Sequence, residues 1–508
     1  MAWGISPYKT EVIPLEDYNA DFYLTLIYHA IESLGWHIGY FDHDGIIAYT
    51  NLSWPSYSEE ISVRIKNNCA VIKSECVGVQ GLFTDYGKNK KNLDLLFSEI
   101  DYVHYHLQDT LEQSTQELMD AVPEKQFLSL NDPPMAGKET LRGFFSVFVP
   151  KKDYFVTPLL VVGNTIIYIV TMVTMSVLFM LAYKGQLNGD INNITEKVYL
   201  FLGYSERSHV LNGEVWRLVT STFLHFSLLH ILGNMIALIY IGSMVESKIG
   251  RWQYLLLYLC TGTIASMVSV MWRDHGISGG ASGAIFGLFG ILLALSSTNF
   301  YERSARRALF ISTAFFIVLN IIPIGEGIDH AAHFGGLISG YIFGLITYAA
   351  ISGKNRFIQK WGSPVTAFII TIAFVIGGMA FTPNYQLKKY GHLIDESVTF
   401  RIKMNAYFYS DDSLSRQQRL DTLEQKALPE IKTGDSIVEA LQNVSLPHEK
   451  KKVAIIRAKI VGLECRFYKL LYLEFKEQDK TKYRPEINLI TDQINTLREQ
   501  WGTIENNE

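Results

Sequence analysis

One serine stands in a run of very small residues, Gly279-Gly280-Ala281-Ser282-Gly283-Ala284-Ile285-Phe286-Gly287, at the start of a segment that stays apolar to Thr298. A polar side chain at the mouth of a membrane-length apolar segment is costly, and such positions are commonly functional. Further along, Asp329-His330-Ala331-Ala332-His333-Phe334-Gly335-Gly336 opens a second glycine-rich apolar segment with histidines. Serine and histidine are the parts of a nucleophile–base pair, so the two segments predict nucleophilic catalysis by Ser282 with His333 as the base.

Small residues recur at every third or fourth position in both segments. They are Gly283, Gly287, Gly290 and Ala294 in the first segment and Gly336, Gly340 and Gly344 in the second. Such stripes let two helix backbones approach closely in lipid. This closeness would bring a serine hydroxyl on one helix within about 2.6–3.2 Å of a histidine nitrogen on the other. Taken alone, the stripes fit helix packing without catalysis equally well.

A third apolar segment also begins with polar residues, here His225, His230 and Asn234. His230 and Asn234 lie one helical turn apart and both donate hydrogen bonds, so with the backbone N–H of Ser282 they predict an oxyanion site. For His225 a purely structural role is an equal alternative. Asp329, four residues before His333, leaves a catalytic triad open.

Composition narrows the class of protein. The chain has 508 residues, of which 19% are charged, and its net charge of −5 gives no case for a nucleic-acid partner. The length implies several domains. The four cysteines are scattered and match no metal spacing, so neither a metal nor another cofactor is predicted. The residues from Met1 to Asp17 lack the charged and apolar regions of a cleavable signal peptide, which predicts a cytoplasmic N-terminus.

Seven segments are apolar enough to be membrane-spanning candidates. They lie near Phe155–Ala182, His230–Val245, Tyr254–Trp272, Ser282–Thr298, Ala308–Ile322, His333–Ala350 and Val365–Phe381. Every second connection is rich in basic residues, as at Lys151-Lys152 and Arg306-Arg307. The positive-inside rule then predicts a cytoplasmic N-terminus and an extracytoplasmic C-terminus. It also brings the polar starts of spans two, four and six to the same leaflet.

Soluble domains are predicted on both sides of the membrane part. Residues 1–150 are interpreted as a cytoplasmic α+β domain, with a helix over Phe22–Leu34, two hairpins and helical spacing from Asn92 to about Leu118. The hairpin turns are Asp42-His43-Asp44-Gly45 and Asn67-Asn68. Residues 151–383 form the membrane domain. Residues 384–508 are interpreted as a helical domain, with an amphipathic helix that begins near Pro447 and another over Glu486–Trp501.

Four motifs in order give the membrane part a specific resemblance. They are Glu214-Val215-Trp216-Arg217 with its run to His225, then His230-Ile231-Leu232-Gly233-Asn234, Gly280-Ala281-Ser282-Gly283, and Ala332-His333-Phe334-Gly335-Gly336. From about Phe155 to Phe381 the chain resembles the rhomboid intramembrane serine proteases. The resemblance does not cover residues 1–150 or 385–508.

The resemblance implies an all-α polytopic fold, with a rhomboid-like six-helix core, a seventh transmembrane helix and the two soluble domains at its ends. It makes Ser282 the nucleophile and His333 the general base of a dyad that requires no acid. It puts His230, Asn234 and Gly280 at the oxyanion site. The residues with implied supporting roles are Trp216, Arg217, His225, Glu246, Gly283, Gly336 and His330.

The expected function is intramembrane proteolysis of membrane proteins, at or near their transmembrane segments, in a bacterial-type inner or plasma membrane. The expected partners are such substrates, the lipid bilayer, and regulators that bind the soluble domains. One alternative is a metal-binding transporter or hydrolase that uses His225, His230, His330 and His333, although no His-Glu-x-x-His motif accompanies them. The other alternative is a catalytically inactive relative that binds membrane clients.

Overall fold

The computed structural model describes residues 7–16, 18–53, 57–78, 84–130, 147–184, 191–274, 276–321, 328–353, 355–409 and 415–505. The chain divides into two compact units, Met1–Phe381 and Thr382–Glu508.

A five-stranded antiparallel sheet dominates the first part of the chain. Its strands are β1 (Tyr8–Pro14), β2 (His37–Asp42), β3 (Gly45–Tyr49), β4 (Glu59–Lys66) and β5 (Cys69–Cys76), in the order β1-β5-β4-β3-β2. Both predicted hairpins are therefore confirmed. Asn67 and Asn68 have φ of 49° and 57°, as a two-residue turn that follows the twist of its strands requires.

Three helices accompany this sheet: α1 (Ala20–Ser33), α2 (Lys88–Leu107) and α3 (Leu111–Asp120). The helical spacing from Asn92 to Leu118 does not make one helix, because the chain turns between Leu107 and Leu111. The turn allows α2 and α3 both to pack on α1. Leu107 and Leu111, on either side of the break, face the same apolar core. Tertiary packing thus divides a periodic sequence that local propensity would have continued.

Among the residues that the structure describes, ten α-helices and a small two-stranded sheet follow within the same unit. In chain order they are α4 (Val156–Tyr183), α5 (Ile191–Leu202), β6 (Ser205–Glu206), α6 (Arg207–Leu211), α7 (Arg217–Thr220), α8 (Leu228–Ile249), α9 (Arg251–Trp272), β7 (Ile277–Ser278), α10 (Ser282–Ser297), α11 (Arg303–Ile321), α12 (His330–Ile351) and α13 (Ser363–Phe381).

Five of the described helices are long and apolar enough to cross a membrane. They are α4, α8, α9, α12, and α13 together with the π-helical turn Ile358–Gly362 that leads into it. Helix α10 is apolar but has 16 residues, which gives it a length of about 24 Å. The seven predicted segments coincide with α4 and α8 to α13, and the count of seven crossings stays a prediction.

Helix α10 forms the centre of the bundle. It packs most extensively on α12 and also contacts α9, α11 and α8. Thirteen of its residues are buried, from Gly283 to Ser296. A helix that is apolar on every side is stable only when other helices surround it. The chain therefore places its glycine-rich helix at the one position where close approach from several directions is needed.

Glu246, near the end of α8, fastens the start of α4. Its side chain is 1% exposed, and its carboxylate accepts hydrogen bonds from the backbone N–H groups of Phe155, Val156 and Thr157 at 2.6–2.9 Å and from the Thr157 hydroxyl at 2.8 Å. The first N–H groups of a helix have no partner within the helix. Glu246 satisfies them and complements the positive end of the helix dipole.

A buried group of acidic residues lies in the N-terminal sheet. Glu60 on β4 is 1% exposed, and the Tyr49 hydroxyl donates to it at 3.2 Å. Burial and the neighbouring carboxylate of Glu75 raise the pKa of Glu60 to about 7, although Lys73 and Lys248 oppose the shift. Glu60 therefore titrates near neutral pH in the folded protein.

The second unit is entirely helical among its described residues. It contains α14 (Leu387–Tyr409), α15 (Arg416–Thr422), α16 (Leu428–Asn443), α17 (His448–Glu477) and α18 (Lys480–Glu505). A π-helical turn, Leu423–Ala427, joins α15 to α16. Pro447 caps α17, as the sequence predicts. Helices α16 and α17 pack along each other and α18 lies on α17, so the unit is a bundle with its own apolar core.

Replacing Glu246 by alanine is expected to destabilise the protein by about 3 kcal/mol, because several buried donors lose their acceptor. Glu246→Gln keeps one acceptor oxygen and should cost less. The measurement is the unfolding midpoint of the detergent-solubilised protein, with the exposed Glu439→Ala as the control. Equal midpoints for Glu246→Ala and wild type would contradict the bracing role.

Glu60→Gln is expected to stabilise the protein above neutral pH. The raised pKa means that the contribution of Glu60 to stability is complete below about pH 4.5 and is lost as the pH rises through about 7. At pH 8 the neutral glutamine should therefore raise the free energy of unfolding by about 2–3 kcal/mol, with no gain near pH 4.5. Thermal unfolding at both pH values tests this, with the exposed Glu112→Gln as the control. A pH-independent effect would refute it.

Candidate active site

The backbone that leads into α10 is held by bonds to three other segments. Strand β7 pairs with β6, with Ser278 opposite Ser205. The N–H of Gly280 donates to the carbonyl of Ser221 at 2.9 Å, and the N–H of Ala281 donates to Nε2 of His225 at 3.4 Å. Irregular backbone at membrane depth is tolerated only when its polar groups are satisfied by protein. These contacts give the half-buried Ser282 a fixed position at the first turn of α10.

Helices α10 and α12 are in backbone contact. A Cβ added to Gly336 would lie 2.0 Å from the carbonyl oxygen of Gly283, and one added to Gly340 would lie 2.0 Å from that of Gly287. No larger residue fits at either position. A Cβ on Gly283 would meet Ala332 at 3.7–3.9 Å. Because Gly283 follows Ser282 and Ala332 precedes His333, the nucleophile candidate and the base candidate lie at the same level of the two helices.

His333 lies over the face of α10 that carries Ser282. Its ring stacks on Phe286, with the centroids 4.2 Å apart and the planes 12° apart. Phe286 is four residues after Ser282, and residues four apart share a helix face. His333 is 8% exposed, and its Nδ1 is buried with no hydrogen-bond partner among the described residues. The stack places the His333 ring against the α10 face that carries Ser282, and among the described residues no hydrogen bond joins the two side chains.

Two hydrogen-bond donors of α8 approach the loop just before Ser282. A Cβ on Gly280, whose φ is +140°, would lie 2.9 Å from Nε2 of His230 and 3.8 Å from Nδ2 of Asn234. The Nδ2 of Asn234 is buried and has no partner among the described residues. His225 packs edge-on against the His230 ring at 5.1 Å. Gly280, which has no side chain, therefore leaves the donors of His230 and Asn234 open to a developing negative charge.

The side chain of Asp329 forms its hydrogen bonds with residues other than His333. It caps α12 by accepting from the N–H of Ala332 at 3.1 Å, and it also accepts from the hydroxyls of Ser269 and Ser278 and from Arg273. None of these partners is His333. The carboxylate joins α12 to α9 and to strand β7, which leads to Ser282. The triad that the sequence left open therefore has no bond in this structure, and Asp329 acts on the position of its neighbours.

Arg217 and Trp216 support the site from behind strand β6. The Arg217 guanidinium donates to the carbonyls of Leu200 and Tyr204 and to the carboxylate of Glu214, and it lies 4.5 Å from the Trp216 ring centroid. These bonds position the residues just before β6, so they reach Ser282 through the β6–β7 pair. Glu246, by contrast, lies about 18 Å along α8 from Asn234 and acts on the fold.

The histidines do not form a metal cluster. His330 and His333 lie with their ring centroids 6.3 Å apart and nearly perpendicular. Among the residues that the structure describes, no group of three or more His, Cys, Asp and Glu side chains has a metal-binding arrangement.

The sequence did not indicate several residues whose hydrogen bonds or ring contacts support this site. Ser221, Ser269 and Ser278 are distant in sequence and carry no motif, so only the folded chain identifies them as partners. The role of Phe286 could have been predicted from the sequence, because it lies one turn after Ser282 on the same helix face.

Comparison with known proteins gives a family for this part of the chain. Residues 212–350 match the rhomboid domain model. The chain is 39% identical over 134 residues to RHOMBOID-like protein 1 of Arabidopsis thaliana, which covers 26% of this chain and 34% of that protein. It is 34% identical over 211 residues to rhomboid protease GluP of Bacillus subtilis (strain 168), covering 40% of this chain and 38% of that protein.

A third relative is rhomboid-like protease 2 of Toxoplasma gondii, at 31% identity over 183 residues, which covers 35% of this chain and 64% of that protein. The chain thus spans between about a third and two thirds of the length of these relatives. The rhomboid domain and the five apolar helices together make it an integral membrane protein. Residues 212–350 therefore form a rhomboid domain, and over this part the chain is similar to rhomboid-like proteins and to a rhomboid protease.

Proposed function

We propose that the chain is an intramembrane serine endopeptidase that cleaves transmembrane or near-membrane segments of other membrane proteins. The observation that carries the proposal is the stacking of the His333 ring on Phe286, one turn after Ser282 on the same face of α10. The backbone contact between α10 and α12 makes this arrangement rigid. Two relatives that carry the word protease in their names add support.

The proposed reaction begins when His333 removes the hydroxyl proton of Ser282 as the oxygen attacks the scissile carbonyl. The tetrahedral oxyanion accepts hydrogen bonds from His230, Asn234 and the backbone N–H of Ser282. His333 then gives its proton to the leaving amine, and an acyl-enzyme remains. Water, deprotonated by the same histidine, hydrolyses the ester and restores both side chains. The peptide bond of a regular helix is shielded, so substrates with helix-breaking residues should be favoured.

The membrane arrangement is part of the proposal. Seven crossings, a cytoplasmic N-terminus and an extracytoplasmic C-terminus follow from the alternation of basic connections, in a bacterial-type inner or plasma membrane. The domains are residues 1–150, 151–383 and 384–508, and the division of the chain after Phe381 supports the second boundary. Substrates would be membrane proteins, while regulatory partners would bind the soluble domains.

Ser282→Ala is expected to lower kcat/KM for a transmembrane substrate by about three orders of magnitude or more, because the nucleophile is lost. Labelling by a serine-directed fluorophosphonate should disappear with it. Ser297→Ala, a serine at the other end of the same helix, is the matched control and should keep both. Cleavage by purified Ser282→Ala at the wild-type rate would overturn the assignment, and absent labelling of folded wild type would favour an inactive client-binding protein.

His333→Ala should abolish cleavage as completely as Ser282→Ala, since a nucleophile and its base act as a unit. His330→Ala, one turn earlier on α12, is the matched control and should remain within a few-fold of wild type. The double variant of Ser282 and His333 should be no worse than either single variant. Additive losses, or equal losses at His330 and His333, would contradict a Ser282–His333 dyad.

Asp329→Asn separates a dyad from a triad. In a triad, the same change at the acid lowers kcat by about 10⁴. Asparagine retains an acceptor for the Ala332 N–H and for nearby serine hydroxyls, so a capping role predicts a loss of less than about tenfold. The measurement is kcat/KM with one substrate, and Asp274→Asn, which pairs with Arg207 outside the site, is the control. A loss near the triad value would restore Asp329 as a catalytic group.

A further inference from the structure

Two residues that follow strand β5 leave the N-terminal sheet and pack against the membrane helices. Val77 is fully buried and belongs to the same apolar core as α8, α10 and α11. The Tyr240 hydroxyl on α8 donates to the carbonyl of Gly78 at 3.0 Å. Tyr240 lies about 9 Å along α8 from Glu246, so the contact is well inside the bundle.

Gly78 also touches α11, with no room to spare. A Cβ at this position would lie 2.9 Å from both Cβ and Oγ of Ser312 and 3.0 Å from the Tyr57 ring. Ser312 is fully buried. Gly78 therefore lies against both α8 and α11. A larger residue at position 78 would displace either α11 or the backbone of residue 78 itself.

The N-terminal domain holds α11 at a second level. Glu302 caps the helix by accepting from the N–H groups of Ser304 and Ala305 at 2.6 and 3.2 Å. The same carboxylate lies 3.2 Å from Nε2 of His37 on β2. This contact joins strand β2 to the start of α11.

Helix α11 depends on such contacts because little else surrounds it. Among the described residues it packs extensively on α10, and neither α8 nor α12 covers it to a similar extent. A helix with one broad neighbour is easily shifted by a contact on another side. The position of α11 is therefore sensitive to the N-terminal domain.

A chain of ring contacts connects that helix to the proposed base. Phe316 lies one turn after Ser312 on α11 and stacks on Phe289 of α10, with centroids 4.7 Å apart. Phe289 contacts Phe286 edge-on at 6.4 Å, and Phe286 stacks on His333 at 4.2 Å. Each contact in the series joins packed side chains, which is the kind of path along which a displacement is transmitted.

We propose that the N-terminal domain positions α11 through Val77 and Gly78, and through Phe316, Phe289 and Phe286 sets the orientation of the His333 ring. The proposal rests on the proposed function, because His333 matters only if it is the base. The residues of this path are positioning residues. A ligand or protein that moves the N-terminal domain would thereby change the rate of the chemical step.

The test measures the rate of fluorophosphonate labelling of the full-length protein, which reports the reactivity of Ser282 without a substrate having to enter. Gly78→Ala is expected to lower this rate about five- to tenfold. Ser312→Gly removes the two nearest atoms and leaves only the contact with the Tyr57 ring at 3.0 Å, so the double variant Gly78→Ala/Ser312→Gly should recover most of the rate of Ser312→Gly alone. Gly163→Ala, whose added Cβ meets nothing within 4 Å, is the matched control and should label like wild type.

Labelling is compared well below the unfolding midpoint of each variant, where the folded fractions are equal, so that a lower rate reports the site and not a general loss of stability. Tyr240→Phe removes the hydrogen bond to Gly78 and keeps the aromatic ring, and it should lower labelling two- to threefold. It is the substitute variant if Gly78→Ala does not fold. Wild-type labelling in folded Gly78→Ala, or in Tyr240→Phe if Gly78→Ala is unfolded, overturns the proposal, and so does a folded double variant that labels no faster than Gly78→Ala. Absent labelling in wild type would instead refute the proposed function.

Discussion

The backbone contact between α10 and α12 is the constraint on which the rest of the site depends. Gly336 and Gly340 lie so close to the carbonyl oxygens of Gly283 and Gly287 that no side chain fits between the helices. In lipid, helices associate through packing, since burial from water supplies no force there. The glycines thus do two things at once: they hold the bundle together and they bring Ser282 level with His333.

A second constraint is the polar backbone that this arrangement leaves below the helix ends. The chain enters α10 through an extended segment, and each exposed N–H there needs a protein acceptor. The acceptors come from Ser221, His225 and the β6–β7 pair. Asp329 bonds Ser278 of β7, and Arg217 bonds the carbonyl of Tyr204 just before β6, so these two side chains hold the β6–β7 pair in place.

The N-terminal sheet is connected to this bundle by contacts at two levels. Gly78 reaches α8 and α11 inside the bundle, and His37 meets the acidic cap of α11 at its start. Among the described neighbours of α10, helix α11 packs on the fewest other helices. A displacement of the N-terminal sheet would therefore move α11 more easily than the other neighbours of α10. Its aromatic contacts lead to Phe286, on which the base candidate rests.

Much of the local structure was readable from the sequence because its causes are local. The turns at Asp42–Gly45 and Asn67-Asn68 predict their hairpins through backbone preference, and the apolar segments predict α4 and α8 to α13 within a few residues. The end of helix α2 could not be predicted from the sequence, because packing on α1 ends the helix at Leu107 within a continuous helical pattern. Periodicity reports which face is apolar, whereas the end of a helix also depends on what it meets.

The sequence by itself determined the helices, the small-residue stripes and the chemistry that Ser282 and His333 could perform, since each depends on residue type and spacing alone. Only the tertiary structure decided that Asp329 is bonded to serines, that Phe286 carries the His333 ring, and that Gly78 lies against α8 and α11. These contacts join residues that are distant in the chain. Their partners are chosen by shape and by unmet hydrogen bonds in the packed protein, which a linear pattern does not contain.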